Sequence, residues 1–337
     1  MVENPQNKEL GSLGHHGGSV TKLWFAGRGK LLSSAEDSTI AVTRTRDWSL
    51  LSTIKAPIPK AIGRPSGDTA PVGGAPSGVN DFAVHPSMKL MISVGKSEKC
   101  MRLWNLVTGK KAGALTFERD VLNEVGEGRW SSGEGRKVVW DTEGEEFAVV
   151  FERGAVVFGV DCKIRCKVIT ERKVKIHQVC YVEVAEEKEM LAISTEDGRI
   201  LFFSTREEDL SEDGKDEEKE TLKSARLVAQ LGGKAASIEG RIKDFSVLKN
   251  GEDFVISTAN SEGVIKVWSV GTEELSSKKG DDVKQVGKVL GTLETNNRVT
   301  CLVSYAMLPA VDGDGEVDGD GGDEDEGSES ESGSDDE

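Results

Sequence analysis

The chain has 337 residues, a length that admits one large all-β domain or two ordinary ones. Its 36% hydrophobic content supports a core but leaves some segments unpacked. Its net charge of -16 sits almost wholly in residues 311–337, which hold 14 acidic and no basic residues, so the other 45 acidic and 43 basic residues nearly cancel. Such a block of like charge repels itself and is expected to stay disordered. The first residues, MVENPQNKELGSLGHHGG, are too polar for a secretory signal. No apolar run approaches the roughly 18–20 residues that span a bilayer. Five scattered cysteines (Cys100, Cys162, Cys166, Cys180 and Cys301) argue for a reduced, intracellular protein.

In chain order, residues 20–25, 31–35 and 39–43 read as three short strands, with Glu36-Asp37-Ser38 as a turn and 48–54 as a fourth, outer strand. Residues 57–78 are rich in Pro and Gly and read as an inserted loop. The plan repeats at 79–84, 90–94 and 101–106, with the turn His85-Pro86-Ser87 between the first two and 111–117 outermost. After a Gly- and Glu-rich interruption at 124–135, it repeats at 137–140, 147–151, 155–160 and 167–170. A fourth unit takes 176–184, 190–194, 199–203 and, beyond a charged insertion at 206–224, 227–231. A fifth takes 242–248, 254–258, 264–269 and, beyond a polar insertion at 271–283, 287–293. One unmatched strand is left, 298–305. No run carries the i, i+3, i+4, i+7 apolar spacing of a helix.

The bulky ends of the five third strands fall at Thr43, Trp104, Phe158, Phe203 and Trp268, with gaps of 61, 54, 45 and 65 residues. Without the insertions each gap approaches ~40–45 residues, the period of a four-stranded WD40 blade. The expected fold is therefore an all-β WD40-repeat β-propeller with five recognisable blades over residues 17–305. A polar segment at 1–16 precedes it, and an acidic tail at 306–337 follows.

The stretch DFAVHPSMKLMISVGKSEKCMRLWNLVTGK resembles the signature blade of the PAK-interacting or "maintenance of killer" WD-repeat family. LLSSAEDSTIAV, WSLLSTIKA, TEDGRILFFS, RIKDFSV, VISTANSEGVIKVW and TNNRVTCL resemble it in the same order. The resemblance implies a seven-bladed ring and a nucleolar factor in early assembly of the large ribosomal subunit. Its implied partners are ribosomal proteins, assembly factors and pre-rRNA, and animal members are also described as negative regulators of p21-activated kinase. Family members begin about one blade upstream of Gly17 and commonly end in a lysine-rich tail, whereas this chain ends in an acidic one. An incomplete ring is expected, because residues 1–16 cannot supply a blade.

No Gly-x-Ser-x-Gly elbow, phosphate loop or strand-flanked Gly-x-Gly-x-x-Gly occurs in the body. No catalytic residue, cofactor or small-molecule substrate is expected, nor a membrane partner. Cys162 and Cys166 lack two further ligands of zinc spacing beyond Cys180 and His177, and read as packing. Asp312 to Asp320 alternate like a calcium loop, but Val317 and Asp323 stand where Gly and Glu belong. Asp37, Asp197 and Asp244 are expected to bond backbone or neighbouring side chains. His85 is expected to shape its turn, and Trp104 and Trp268 to pack between blades. Trp24, Trp48 and Trp140 are expected to be partly exposed, and Trp48, with Arg28, Lys30, Arg44 and Arg46 nearby, is a candidate for a binding rim. Ser328, Ser330, Ser332 and Ser334 lie among acids, a context for acidophilic kinases.

Overall fold

The structure is a computed structural model that describes residues 11–27, 29–57, 78–128, 131–185, 188–211, 221–234, 240–276 and 282–306. Residues up to Ser304 form one compact unit; of the second, Tyr305–Glu337, only the first two residues are described. The tail serines and the calcium-like run lie outside the described residues.

Five antiparallel sheets follow one another along the chain. The first contains β1 (Val20–Ala26), β2 (Lys30–Ala35), β3 (Thr39–Arg44) and β4 (Leu50–Lys55). The second contains β5 (Val79–Val84), β6 (Leu90–Gly95), β7 (Cys100–Asn105) and β8 (Lys110–Thr116). A short helix, α1 (Arg119–Glu124), leads to the third: β9 (Lys137–Trp140), β10 (Glu146–Val150), β11 (Gly154–Gly159) and β12 (Ile164–Ile169). The fourth contains β13 (Ile176–Ala185), β14 (Lys188–Thr195), β15 (Arg199–Ser204) and β16 (Arg226–Gly232). The fifth begins with β17 (Ile242–Asn250), β18 (Asp253–Asn260) and β19 (Val264–Gly271). The chain then makes a turn of helix, α2 (Thr272–Leu275), and a three-residue strand, β20 (Lys284–Val286). It returns to finish the blade as β21 (Lys288–Glu294).

Each sheet is a meander because the turns are short and specific. The second and third strands of blades one, four and five are joined through Ser38, Gly198 and Gly263, whose φ angles are 63°, 80° and 92°. At Gly263 a side chain is also excluded by space, since a Cβ would stand 2.2 Å from the carbonyl oxygen of Asn297. A single blade leaves both sheet faces apolar, so it is stable only against a neighbour. The described residues form four large apolar cores, and each lies between consecutive blades. The one between blades four and five, for example, packs Phe202, Met190 and Val228 against Phe245, Phe254 and Trp268.

Four cores serve five blades, so the described blades form an open series. The face of β1 that has no preceding blade leaves Leu23 and Phe25 more than half exposed, at 58% and 57%. At the other end, residues 298–304 do not form the expected ladder strand. They still run beside β17, where the backbone N–H groups of Leu302 and Ser304 donate to Asp244 Oδ2 (2.8 Å) and Ser246 Oγ (3.1 Å). β17 pairs with β18 along one edge, and residues 298–304 meet it through the Asp244 and Ser246 side chains rather than through a backbone ladder.

Other expectations need correction. Blade one draws on the segment before residue 17, because His16 Nε2 bonds Ser33 Oγ at 2.7 Å. The insertion at 206–224 is partly built in: Ser211 and Ser224 pair with each other, and the Lys167 backbone on β12 donates to the Lys223 carbonyl and accepts from the Ala225 N–H, both at 2.8 Å. The insertion at 271–283 begins with α2, whose Leu275 is fully buried, and its end supplies β20 as a fifth, parallel strand beside β16. The helices α1 and α2 escaped an amphipathic pattern because each has only one buried side chain, Leu122 and Leu275. Residues 58–77 lie outside the described residues.

Phe202 is fully buried in the core between blades four and five. Phe202→Ala should cost roughly 3–5 kcal/mol through lost transfer energy and the cavity left behind. Val107→Ala, at a side chain that is 76% exposed, should stay within about 0.5 kcal/mol. Urea midpoints of the two variants check the contrast.

Candidate functional site

The third residue of an inner strand reaches toward the following blade. Lys22 on β1 places Nζ 2.7 Å from Asp81 Oδ1 on β5 and lies over the Phe82 ring. Asp81, 1% exposed, turns its other oxygen to the N–H of Val138 on β9 at 3.0 Å. Gln178 on β13 donates from Nε2 to Asp244 Oδ1 at 2.9 Å, and Asp244 Oδ2 accepts from Leu302. Asp81 and Asp244 therefore do the same thing three blades apart. Leu302 occupies, relative to Asp244, the place that Val138 takes relative to Asp81. Asp244 was singled out in the sequence and Asp81 was not, although both stand in an apolar-x-Asp-Phe run, VNDF and IKDF.

The remaining singled-out residues act within their blades. Asp37 accepts the N–H of Gly17 (2.8 Å) and both the N–H and hydroxyl of Thr39 (3.0 and 2.6 Å), beside His16 Nδ1 at 3.3 Å. Burial opposes its ionisation, but the bonds from Thr39 and Gly17 outweigh it and hold the carboxyl below the usual range. Asp197 binds Arg199 through Nη2 at 2.7 Å and Thr195 Oγ1 at 2.6 Å. Trp104 and Trp268 donate from Nε1 to Ser93 Oγ (2.8 Å) and Thr258 Oγ1 (3.1 Å) of the second strand. His85 bonds Ser87 Oγ (2.8 Å) and the Gly144 carbonyl (3.1 Å) and meets Trp140 edge-on. Trp140 is buried in the core between blades two and three rather than on a rim, and Trp48 is 47% exposed. Cys162 and Cys166 flank no metal site, and no cluster of three metal-ligating side chains occurs among the described residues. Burial pushes the Cys166 and Cys180 thiols up to about 12, which makes them poor ligands and nucleophiles.

Two charged regions lie at opposite ends of the inner strands. Where β9 and β13 end, a cavity of about 380 Å³ is lined by Asp141, Glu143, Glu146, Glu183 and Glu189 with Arg165. Glu146 is held by the Tyr181 hydroxyl (2.9 Å) and the Thr205 hydroxyl (2.8 Å), and burial raises its pKa. Burial also pushes Glu189 up to about 7, with Asp141, Glu146 and Glu143 adding to the effect.

Where the inner strands begin, a second cavity of about 220 Å³ is lined by Thr21, Asn80, Glu134, Arg136, Lys137 and His177, from four blades. Lys175 and Arg136 share Glu152, at 3.3 and 3.9 Å, and Arg241 lies 3.4 Å from Glu196. Lys243 is held below the usual lysine range by burial and by the positive charges of Arg241, Arg298 and Lys175. Burial and the neighbouring Lys243 lower His177 to about 4. The signal for this mouth was in the sequence and went unread. A cation precedes the first apolar residue of the inner strand in Arg136-Lys137-Val138, Lys175-Ile176, Arg241-Ile242 and Arg298-Val299.

The repeated four-stranded blade, its turn and its packing define a WD40-repeat β-propeller. Residues 7–42 match the WD domain, G-beta repeat family. In fold the chain is similar to a chain of a mitotic checkpoint complex, with TM-score 0.56, 10% identity, and coverage of 84% of this chain and 68% of that one. It is also similar to the Myceliophteria thermophila Cps50 (Swd1) β-propeller domain, with TM-score 0.50, 12% identity and coverage of 83% and 72%. Among curated proteins it is 26% identical to the p21-activated protein kinase-interacting protein 1-like of Gallus gallus, over 87% of this chain and 62% of that protein. It is 28% identical to Protein MAK11 of Saccharomyces cerevisiae, over 80% of this chain and 62% of that protein. The chain is thus a WD40-repeat β-propeller in fold and is similar to these two proteins over most of its own length. It spans a little over three fifths of their length.

Because Glu189 is raised in the folded state, that state keeps a proton between about pH 4.5 and 7 that the unfolded chain has released. Stability should therefore fall as pH rises through that window. Glu189→Gln should flatten this slope and leave the variant the more stable above pH 7, by no more than about 1 kcal/mol after solvent screening. Thermal melts across the pH range measure both.

Proposed function

We propose that this chain is a non-catalytic WD40 scaffold in assembly of the large ribosomal subunit, acting in the nucleus and nucleolus. It presents blade surfaces to ribosomal proteins and assembly factors of the precursor particle, and to pre-rRNA. The observation that carries this reading is the similarity to MAK11 and the kinase-interacting 1-like proteins across most of the chain. The physical organisation supports it. Four buried cores fix the blades, and two cavities of opposite charge are formed where strands of neighbouring blades meet the segments that join them. Rigid concave sites on a propeller suit recognition of partners.

A second reading comes from the relatives' name, which carries interaction with p21-activated protein kinase. In that reading the same surfaces would mask a kinase. Depletion of the protein separates the two. The assembly role lowers free large subunits relative to small ones and delays precursor processing, with the protein sedimenting with large-subunit precursors. A normal subunit ratio after verified depletion would sink the assembly reading, and raised kinase activity in the same cells would favour the second.

A further inference from the structure

We infer that the mouth where the inner strands begin receives a phosphorylated side chain on an acidic peptide segment of a protein partner, seated among Arg136, Lys137, Lys243 and Arg298. The inference deepens the scaffold reading and rests on it for the class of partner.

The charge at this mouth is unbalanced. Arg136 and Lys137 line the cavity beside Glu134, Lys175 and Lys243 act on His177 in its wall, and Arg241 and Arg298 act on Lys243 in turn, while Glu152 and Glu196 neighbour these cations. Glu152 and Glu196 are engaged by Arg136, Lys175 and Arg241, and Glu134 accepts the N–H of Ser97. Among the described residues, Lys137, Lys243 and Arg298 form no ion pair. Lys243 is both partly buried and repelled by three neighbouring cations, so the unliganded mouth stores unfavourable charge. A dianionic group placed between these side chains would reverse that repulsion and gain charge-assisted hydrogen bonds. Neutral partners are at hand as well. Thr21 and Asn80 line the same cavity, and the buried Nε2 of His177 has no hydrogen-bond partner among the described residues. Since His177 is held neutral, its ring can donate or accept there without adding charge.

The shape selects a peptide over a nucleic acid. The cavity, about 220 Å³, accommodates one tetrahedral oxyanion and its hydrogen-bond donors. No Phe, Tyr or Trp side chain lines the cavity to stack on a base. Lys137 on β9 and Lys243 on β17 are fixed on inner strands, so this part of the site needs little reorganisation before binding.

Fluorescence anisotropy on the purified full-length chain tests the assignment. The probe is a short labelled peptide of glutamates around one phosphoserine, compared with its unphosphorylated form and with a single-stranded RNA of matched length. The phosphopeptide should bind in a salt-sensitive manner, and inorganic phosphate should compete. Lys137→Glu and Lys243→Glu should each weaken binding about 10-fold or more, the size expected for loss of a charge-assisted contact. Lys137→Gln and Lys243→Gln should weaken it by less. Lys110→Glu, on the exposed outer strand β8, should leave it unchanged. Unaltered far-UV circular dichroism and melting temperature establish that the variants fold; the glutamine pair serves if a glutamate variant does not. Equal affinity for the unphosphorylated peptide, tighter binding of the RNA, or insensitivity to all four mouth variants would each overturn the proposal. Because the assay uses purified protein, its failure would leave co-sedimentation with ribosomal precursors intact. A failure of co-sedimentation would likewise leave the binding result standing.

Discussion

The constraint on which this protein depends is that no blade can bury its own faces. Each sheet is four strands wide and apolar on both sides, so its stability is held in common with its neighbour. The largest buried side chains, Phe82, Phe147, Phe202, Phe203 and Trp268 among them, all belong to cores shared by two blades. Polar contacts follow the same logic. Asp81 and Asp244 are buried carboxylates, and a buried carboxylate is tolerated only when its lone pairs are occupied. Both solve this by bonding to adjoining strands on each side. The hydrogen bonds that satisfy them also set the spacing at which blades meet.

The blade plan was legible because its determinants are local. Strand length, turn residues and the recurring bulky residue at the end of the third strand all lie within one short window. The expected outer strand at 287–293 and the observed β21, Lys288–Glu294, differ by one residue. What the sequence did not disclose depends on distant partners. Residues 298–304 carry β-branched and apolar residues, as a strand does, yet whether they enter a ladder depends on which edge of β17 is free. Likewise Trp140 looks like Trp48 by composition, and only His85 of the neighbouring blade, with Phe147 of its own, decides that it is buried.

The candidate site was less legible than the fold for a related reason. Arg136, Lys175, Arg241 and Arg298 are spread over more than 160 residues, and each alone reads as a solvated charge beside a strand. Their convergence is a property of the repeat. Strands that start at the same height bring the residues before them to one place. The same repeat separates the carboxylates, since Asp141, Glu183 and Glu189 lie at the far ends of those strands or at the start of the next. Four to six residues of extended chain, roughly 13–20 Å, divide the two regions.

Residues of opposite sign at the two ends of the same strands give the body a direction despite its small net charge. A neutral body with separated poles feels a torque in an external field but little net pull. In approach to a charged assembly such a body turns before it is drawn in, and the field gradient then selects which end arrives first. The sequence thus encodes orientation through where charge sits along each strand, independently of how much charge the blades carry.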